Sequence, residues 1–211
     1  STGLVTAQAS TTAWIVATTP IFMALLGWLI LKENLTWGQG AGIMLATLGV
    51  ILVVSNGAVR SIFSSNFGTP GDYLIMISAL NWAVFSALSR RGLKKHPAAR
   101  MMFYVMAFGW IFSSIAFFAG DNLSEVPKLS FNGWVSIAFL GIFCSGLAYI
   151  AWYDGLQVIP TSQIGAFLYL EPLVAVIVAG VILAEPITWV SLVGGITILL
   201  GVYLVNRPSR K

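Results

Sequence analysis

The feature that most constrains this chain is the spacing of its charges. They fall in short clusters, and the gaps between clusters are long and apolar. A helix needs about 20 apolar residues to cross the ~30 Å hydrocarbon core of a bilayer. The gaps supply seven stretches of that kind: 9–31, 38–55, 72–90, 101–119, 131–153, 161–184 and 189–206. Helix is the geometry that satisfies the backbone of each stretch within lipid. Strands of a membrane barrel alternate apolar and polar residues, and the run 43–54 does not alternate. The expected fold class is an all-α membrane protein with seven transmembrane helices.

Composition supports this and excludes other classes. Only 9% of the 211 residues are charged and 58% are hydrophobic, whereas a soluble domain carries about 25% charged residues. There is too little polar surface to wrap a water-soluble core. A disordered chain needs the opposite balance. The net charge of +4 sits in a few loops, not along one face, which argues against nucleic acid as a partner. With one Cys and one His, no Cys/His metal centre is expected. No Gly-rich phosphate loop with its Lys is present, so no nucleotide or other cofactor is expected.

The connectors carry the turn residues: Lys32-Glu33-Asn34, the Ser/Asn/Gly-rich 55–71, the basic 90–100, then 120–130, 154–160 and Glu185-Pro186. Thr36 and Thr188 are suited to cap the helices that follow them. Sorting Lys and Arg by side gives a strong bias. Lys32, Arg90, Arg91, Lys94, Lys95, Arg100, Arg207, Arg210 and Lys211 share one side, and Arg60 and Lys128 the other. By the positive-inside rule the C-terminus, with its basic tail 207–211, is cytoplasmic in the cell's inner (plasma) membrane.

The chain also overlays itself at an offset of 152 residues. Pro20 meets Pro172, Glu33 meets Glu185, Thr36-Trp37 meets Thr188-Trp189, and Gly42 meets Gly194. Leu48-Gly49-Val50 meets Leu200-Gly201-Val202 in the same register. The offset spans five helices, an odd number, so the two copies cross the membrane in opposite directions. Inverted repeats of this kind are a common plan among secondary transporters. The second copy has three spans ahead of its matching part. The expectation is a ten-helix, five-plus-five parent whose first three helices precede Ser1. Residues 1–56 then close the first repeat and 72–206 form the second.

Each copy shows an apolar helix with a central Pro, then Leu-Lys-Glu or Leu-Ala-Glu, then Leu/Ile-Thr-Trp, then a Gly-containing helix ending in Leu-Gly-Val. Residues 79–91 (ALNWAVFSALSRR), 148–156 (AYIAWYDGL) and 170–172 (LEP) complete the pattern. In order and spacing the chain resembles the EamA domain of the drug/metabolite transporter superfamily. The resemblance implies secondary export of small metabolites, amino acids or related compounds among them, by alternating access. Two other readings are a non-transporting membrane scaffold or degenerate transporter fragment, and an intramembrane serine protease built on Ser145. The second fails for want of a base, because His96 lies in the basic loop.

Glu171 is the one ionisable residue of the Asp, Glu, Lys, Arg and His set deep inside a span. It lies ten residues from Thr161, or ~15 Å of helix, near the midplane. An ionised group there costs about 3 kcal/mol or more. It therefore calls for a coupling proton, a cationic substrate group or a partner elsewhere, or else it hydrogen-bonds the backbone freed by Pro172. Thr19 is its counterpart in the first copy. Pro20 and Pro172 are expected to kink their helices, and broken helices at matching positions point to a substrate path. Asn81, Trp82, Tyr149, Trp152, Tyr169 and Trp14 are further candidates to line it, since aromatic faces hold flat or cationic solutes. The expected partners are a small-molecule metabolite, protons and the lipid bilayer.

Overall fold

The computed structural model describes residues 15–55, 69–182, 184 and 186–207. Among these residues the chain is all-helical. The helices are α1 (Thr19–Leu31), α2 (Trp37–Ser55), α3 (Pro70–Leu93), α4 (Ala98–Ala119), α5 (Phe131–Val158), α6 (Thr161–Ile182) and α7 (Trp189–Asn206). Helices α2 to α7 are long and apolar enough to cross a membrane, and α1 belongs to a shorter apolar helix over Ile15–Leu31. The 19 residues of α2 span about 28 Å at 1.5 Å each.

The chain divides into two compact units, Ser1–Leu88 with Pro160–Lys211, and Ser89–Ile159. In the first unit the core is the seam between α2 and α7. Ala46 and Ile198 are fully buried at its centre, with Val50, Val202 and Val205 around them. Glycines let the two backbones touch. A methyl group on Gly42 would lie 2.8 Å from the Gly201 carbonyl oxygen, and one on Gly49 would lie 2.7 Å from that of Gly194. Numbers rise along α2 as they fall along α7, so the helices are antiparallel. Residues 42 and 49 are the repeat counterparts of 194 and 201. Each contact is therefore the image of the other, about an axis passing near the equivalent pair Ala46 and Ile198. The two copies run in opposite directions, as the odd helix count requires.

Local capping follows the repeat as well. The Thr36 hydroxyl accepts from Gln39 N at 3.3 Å, and the Gln39 side chain accepts from Thr36 N at 3.0 Å. At the matching start of α7 the Thr188 hydroxyl accepts from Ser191 N at 3.2 Å. Among the described residues, the two non-glycine residues with positive φ, Lys32 and Ala184, both at 54°, are also 152 apart. Each reverses the chain after its Pro-containing helix, in the left-handed region that commonly ends helices. Trp37 and Trp189 open antiparallel helices and are 96% and 83% exposed. They sit at opposite ends of the seam, where indole rings anchor at the two interfaces.

In the second unit α4 buries no residue, α5 buries only Tyr153 and Leu156 near its end, and α5 widens into π-helical geometry over Leu140–Leu147. One sequence boundary is corrected here. The connector expected at 154–160 is helical as far as Val158. Nothing in 154–158 breaks a helix, and the stop comes from Pro160, which forces Ile159 into an extended conformation (φ −111°, ψ 154°). The helix end is closed by Arg90, whose guanidinium donates to the Leu156 and Ile159 carbonyls, a favourable place for a cation.

Candidate functional site

The two Pro-containing helices are broken at matching places. Before α1 the chain makes a tight turn at Thr18, whose N–H and hydroxyl both donate to the Ile15 carbonyl, at 3.0 and 2.6 Å. Thr19 and Pro20 follow, both buried. In α6 the helix tightens to 3-10 geometry over Phe167–Leu170 and restarts at Glu171. Proline tolerates the first turn of a helix because its missing N–H has no partner to lose there. So both prolines start a helical segment, and the irregular turn lies just upstream of each.

Helix α1 packs antiparallel on the first half of α6. A methyl on Gly27 would meet the Thr161 side chain at 3.4 Å, and one on Gly165 would meet Met23 at 3.1 Å. Continuing this register sets Thr18 level with Leu170, so the two breaks lie at one depth. The junction is locked at one end by Glu33. Its carboxylate accepts from Thr161 N at 2.9 and 3.2 Å and from the Thr161 hydroxyl at 3.3 Å. An acidic group at a helix N-terminus also complements the helix dipole. The sequence placed Glu33 among the turn residues of its own connector. That it bridges to Thr161 across 128 positions of sequence carries no local signal. Glu185 lies outside the described residues.

Glu171 is exposed. Its carboxylate has no hydrogen-bond or ion-pair partner among the described residues. It does not satisfy the backbone freed by Pro172, because the Glu171 N–H itself donates to the Leu168 carbonyl. The second half of α6 is loosely surrounded. A cavity of about 330 Å³ opens beside it, lined by Val53, Ala175, Ala179, Thr188 and Ser191. The arrangement thus has an uncompensated acid at a helix break halfway along α6, and space on the same helix.

The other sequence candidates are placed variously. Tyr169 is 1% exposed and packs in the α2–α7 core. Its hydroxyl pairs with that of Thr47 at 2.7 Å, and Thr47 donates on to the Ile43 carbonyl at 2.8 Å. It supports the break rather than facing an open path. Thr19, 4% exposed, is buried at the same level. Asn81 is exposed on α3, and Trp82 is half-buried with its ring 5.5 Å from that of Phe85. Tyr149 and Trp152 belong to the second unit, half-buried on α5. Trp14 lies outside the described residues. Sequence reasoning missed Thr47 and Gln39. Gln39 reaches across the seam to the Val205 carbonyl at 3.4 Å. Their signal was a polar side chain within an otherwise apolar span.

Comparison with known proteins places this geometry. The profile of the EamA-like transporter family matches residues 1–55 and 69–207. An uncharacterized transporter of Bacillus subtilis, YyaM, is 28% identical over 94% of this chain and 64% of its own length. An uncharacterized transporter of Archaeoglobus fulgidus is 30% identical over 93% of the chain and 66% of its own. The chain thus spans about two thirds of the length of these relatives. A protein of Streptantibioticus cattleyicolor named "Probable terminal-alkyne amino-acid exporter" is 28% identical over 98% of the chain. A solved crystal structure superposes with a TM-score of 0.80 at 18% identity, covering 98% of this chain and 71% of its own, which establishes the shared fold.

Proposed function

Because the chain belongs to the EamA-like transporter family, we propose that it acts in secondary transport of small metabolites across the inner membrane, with Glu171 at the site of cargo or proton binding. Amino acids or related compounds are the favoured cargo and export the favoured direction. The resemblance to the Streptantibioticus exporter supports both. Glu171 carries the reading. An unpaired carboxylate at mid-depth costs about 3 kcal/mol or more, and binding an ammonium group or a proton removes that cost. The antiparallel, glycine-packed repeats suit alternating access, in which one repeat rocks against the other around a fixed midplane site. Thr19, in place of a second acid, makes the two halves chemically unequal where a directional cycle needs it. Asn81 and Trp82 are proposed to contact the cargo. The excess of Lys and Arg on one side supports a cytoplasmic C-terminus. The structure sets Lys32, just before α2, and Arg207, just after α7, at the same end of the antiparallel seam.

The test is efflux of labelled amino acids from vesicles containing the full-length parent protein. Glu171→Gln is expected to slow efflux about tenfold or more at unchanged protein level, and to flatten its dependence on pH. Full efflux with an unchanged pH profile would remove Glu171 from the site.

A further inference from the structure

Helices α4 and α5 leave a groove between them of about 480 Å³. Its walls include Ala98, Met102, Phe103 and Met106 from α4, and Ile150 and Asp154 from α5. The groove starts at the first residue of α4. From Ala98 to Met106 is eight residues, about 12 Å of helix, close to the roughly 15 Å hydrocarbon depth of one leaflet. So it runs from the headgroup level inward and faces a single leaflet. Its body is apolar, and two methionines supply flexible walls that adapt to an irregular chain.

Its mouth is charged in a particular way. Asp154 is exposed and has no partner among the described residues. Lys94 and Lys95, in the turn just before α4, and Arg100, in its first turn, are likewise exposed with no side-chain partner there. A carboxylate and several cations lie at one level of one unit without neutralising each other. We propose that the groove holds one aminophospholipid of the adjoining leaflet, with an acyl chain over Met102, Phe103, Met106 and Ile150, the primary ammonium on Asp154 and the phosphate at Lys94, Lys95 and Arg100. This zwitterion satisfies both signs of charge. An anionic headgroup satisfies only the cations and sets its charge against Asp154. A quaternary headgroup lacks the three N–H donors of a primary ammonium.

Native mass spectrometry of the purified full-length protein tests this, with phosphatidylethanolamine, phosphatidylcholine and phosphatidylglycerol of matched chains as probes. Phosphatidylethanolamine is expected to be retained most. Asp154→Asn should lower that retention about three- to fivefold, to the phosphatidylcholine level, as befits loss of one interfacial charge pair. Met106→Trp, which fills the groove with an apolar group, should lower retention of all three lipids while the protein stays monodisperse. Equal retention of phosphatidylethanolamine and phosphatidylcholine by the unmodified protein, or a preference for phosphatidylglycerol, overturns the proposal. So does unchanged selectivity in Asp154→Asn, or unchanged retention in Met106→Trp.

Discussion

Helices α2 and α4 are both long and apolar, yet they are used in opposite ways. Helix α2 buries Gly42, Ile43, Ala46, Gly49, Val50 and Val53 against α7 and its neighbours. Helix α4 buries nothing; Phe103, Phe108, Trp110, Phe112 and Phe118 are all more than half exposed. In water the second helix would be a liability. In a bilayer hydrocarbon is the solvent, and apolarity alone no longer drives two helices together. Close packing does, and it needs small residues. Helix α2 has glycines at 42 and 49 on one face, met by 194 and 201. Around Gly109 of α4 nothing lies within 4 Å of where a methyl would go. The difference teaches that bulk decides which apolar helix becomes core.

The largest effect should come from adding bulk at the seam. A methyl on Gly201 would lie 2.5 Å from Ala46 N, which is backbone and cannot move aside. Gly201→Ala is expected to cost about 3 kcal/mol and lower the unfolding temperature in detergent, whereas Gly109→Ala leaves it unchanged. If both are tolerated alike, the two helices are not distinguished by packing. Removing bulk should act next. Ile198→Ala empties a fully buried position and should cost about 2 kcal/mol. Phe108→Ala, at a position 57% exposed, should stay within about 0.5 kcal/mol. The smallest effect isolates one hydrogen bond. Tyr169→Phe removes the 2.7 Å link to Thr47 and should cost about 1 kcal/mol. Tyr104→Phe, on the exposed face of α4, serves as its reference. Denaturant titrations of the paired variants resolve these differences.

Much of this was legible before any coordinate. Charge spacing located the spans, because lipid excludes ions. The 152-residue offset revealed two copies, and an odd number of crossings inverted them. Thr36 and Thr188 announced their helix starts, because the hydroxyl is needed where the first backbone N–H groups lack partners. The end of α5 was misread because Asp154 looked like a boundary. A single carboxylate at the interface does not stop a helix, whereas Pro160 does.

The sequence by itself determined the membrane class, the helices, the opposed directions of the two matching segments and the acid beside the α6 proline. Each follows from one residue's chemistry or from a pattern repeated along the chain. Only the tertiary structure decided that Glu33 caps Thr161 and that Tyr169 is core. It also decided that the two helix breaks share one depth and that a groove opens beside Asp154. These depend on which faces meet, and in a chain apolar on nearly every face hydrophobic patterning does not specify that choice. Shape complementarity does, through glycines and a few polar side chains whose partners lie more than a hundred residues away.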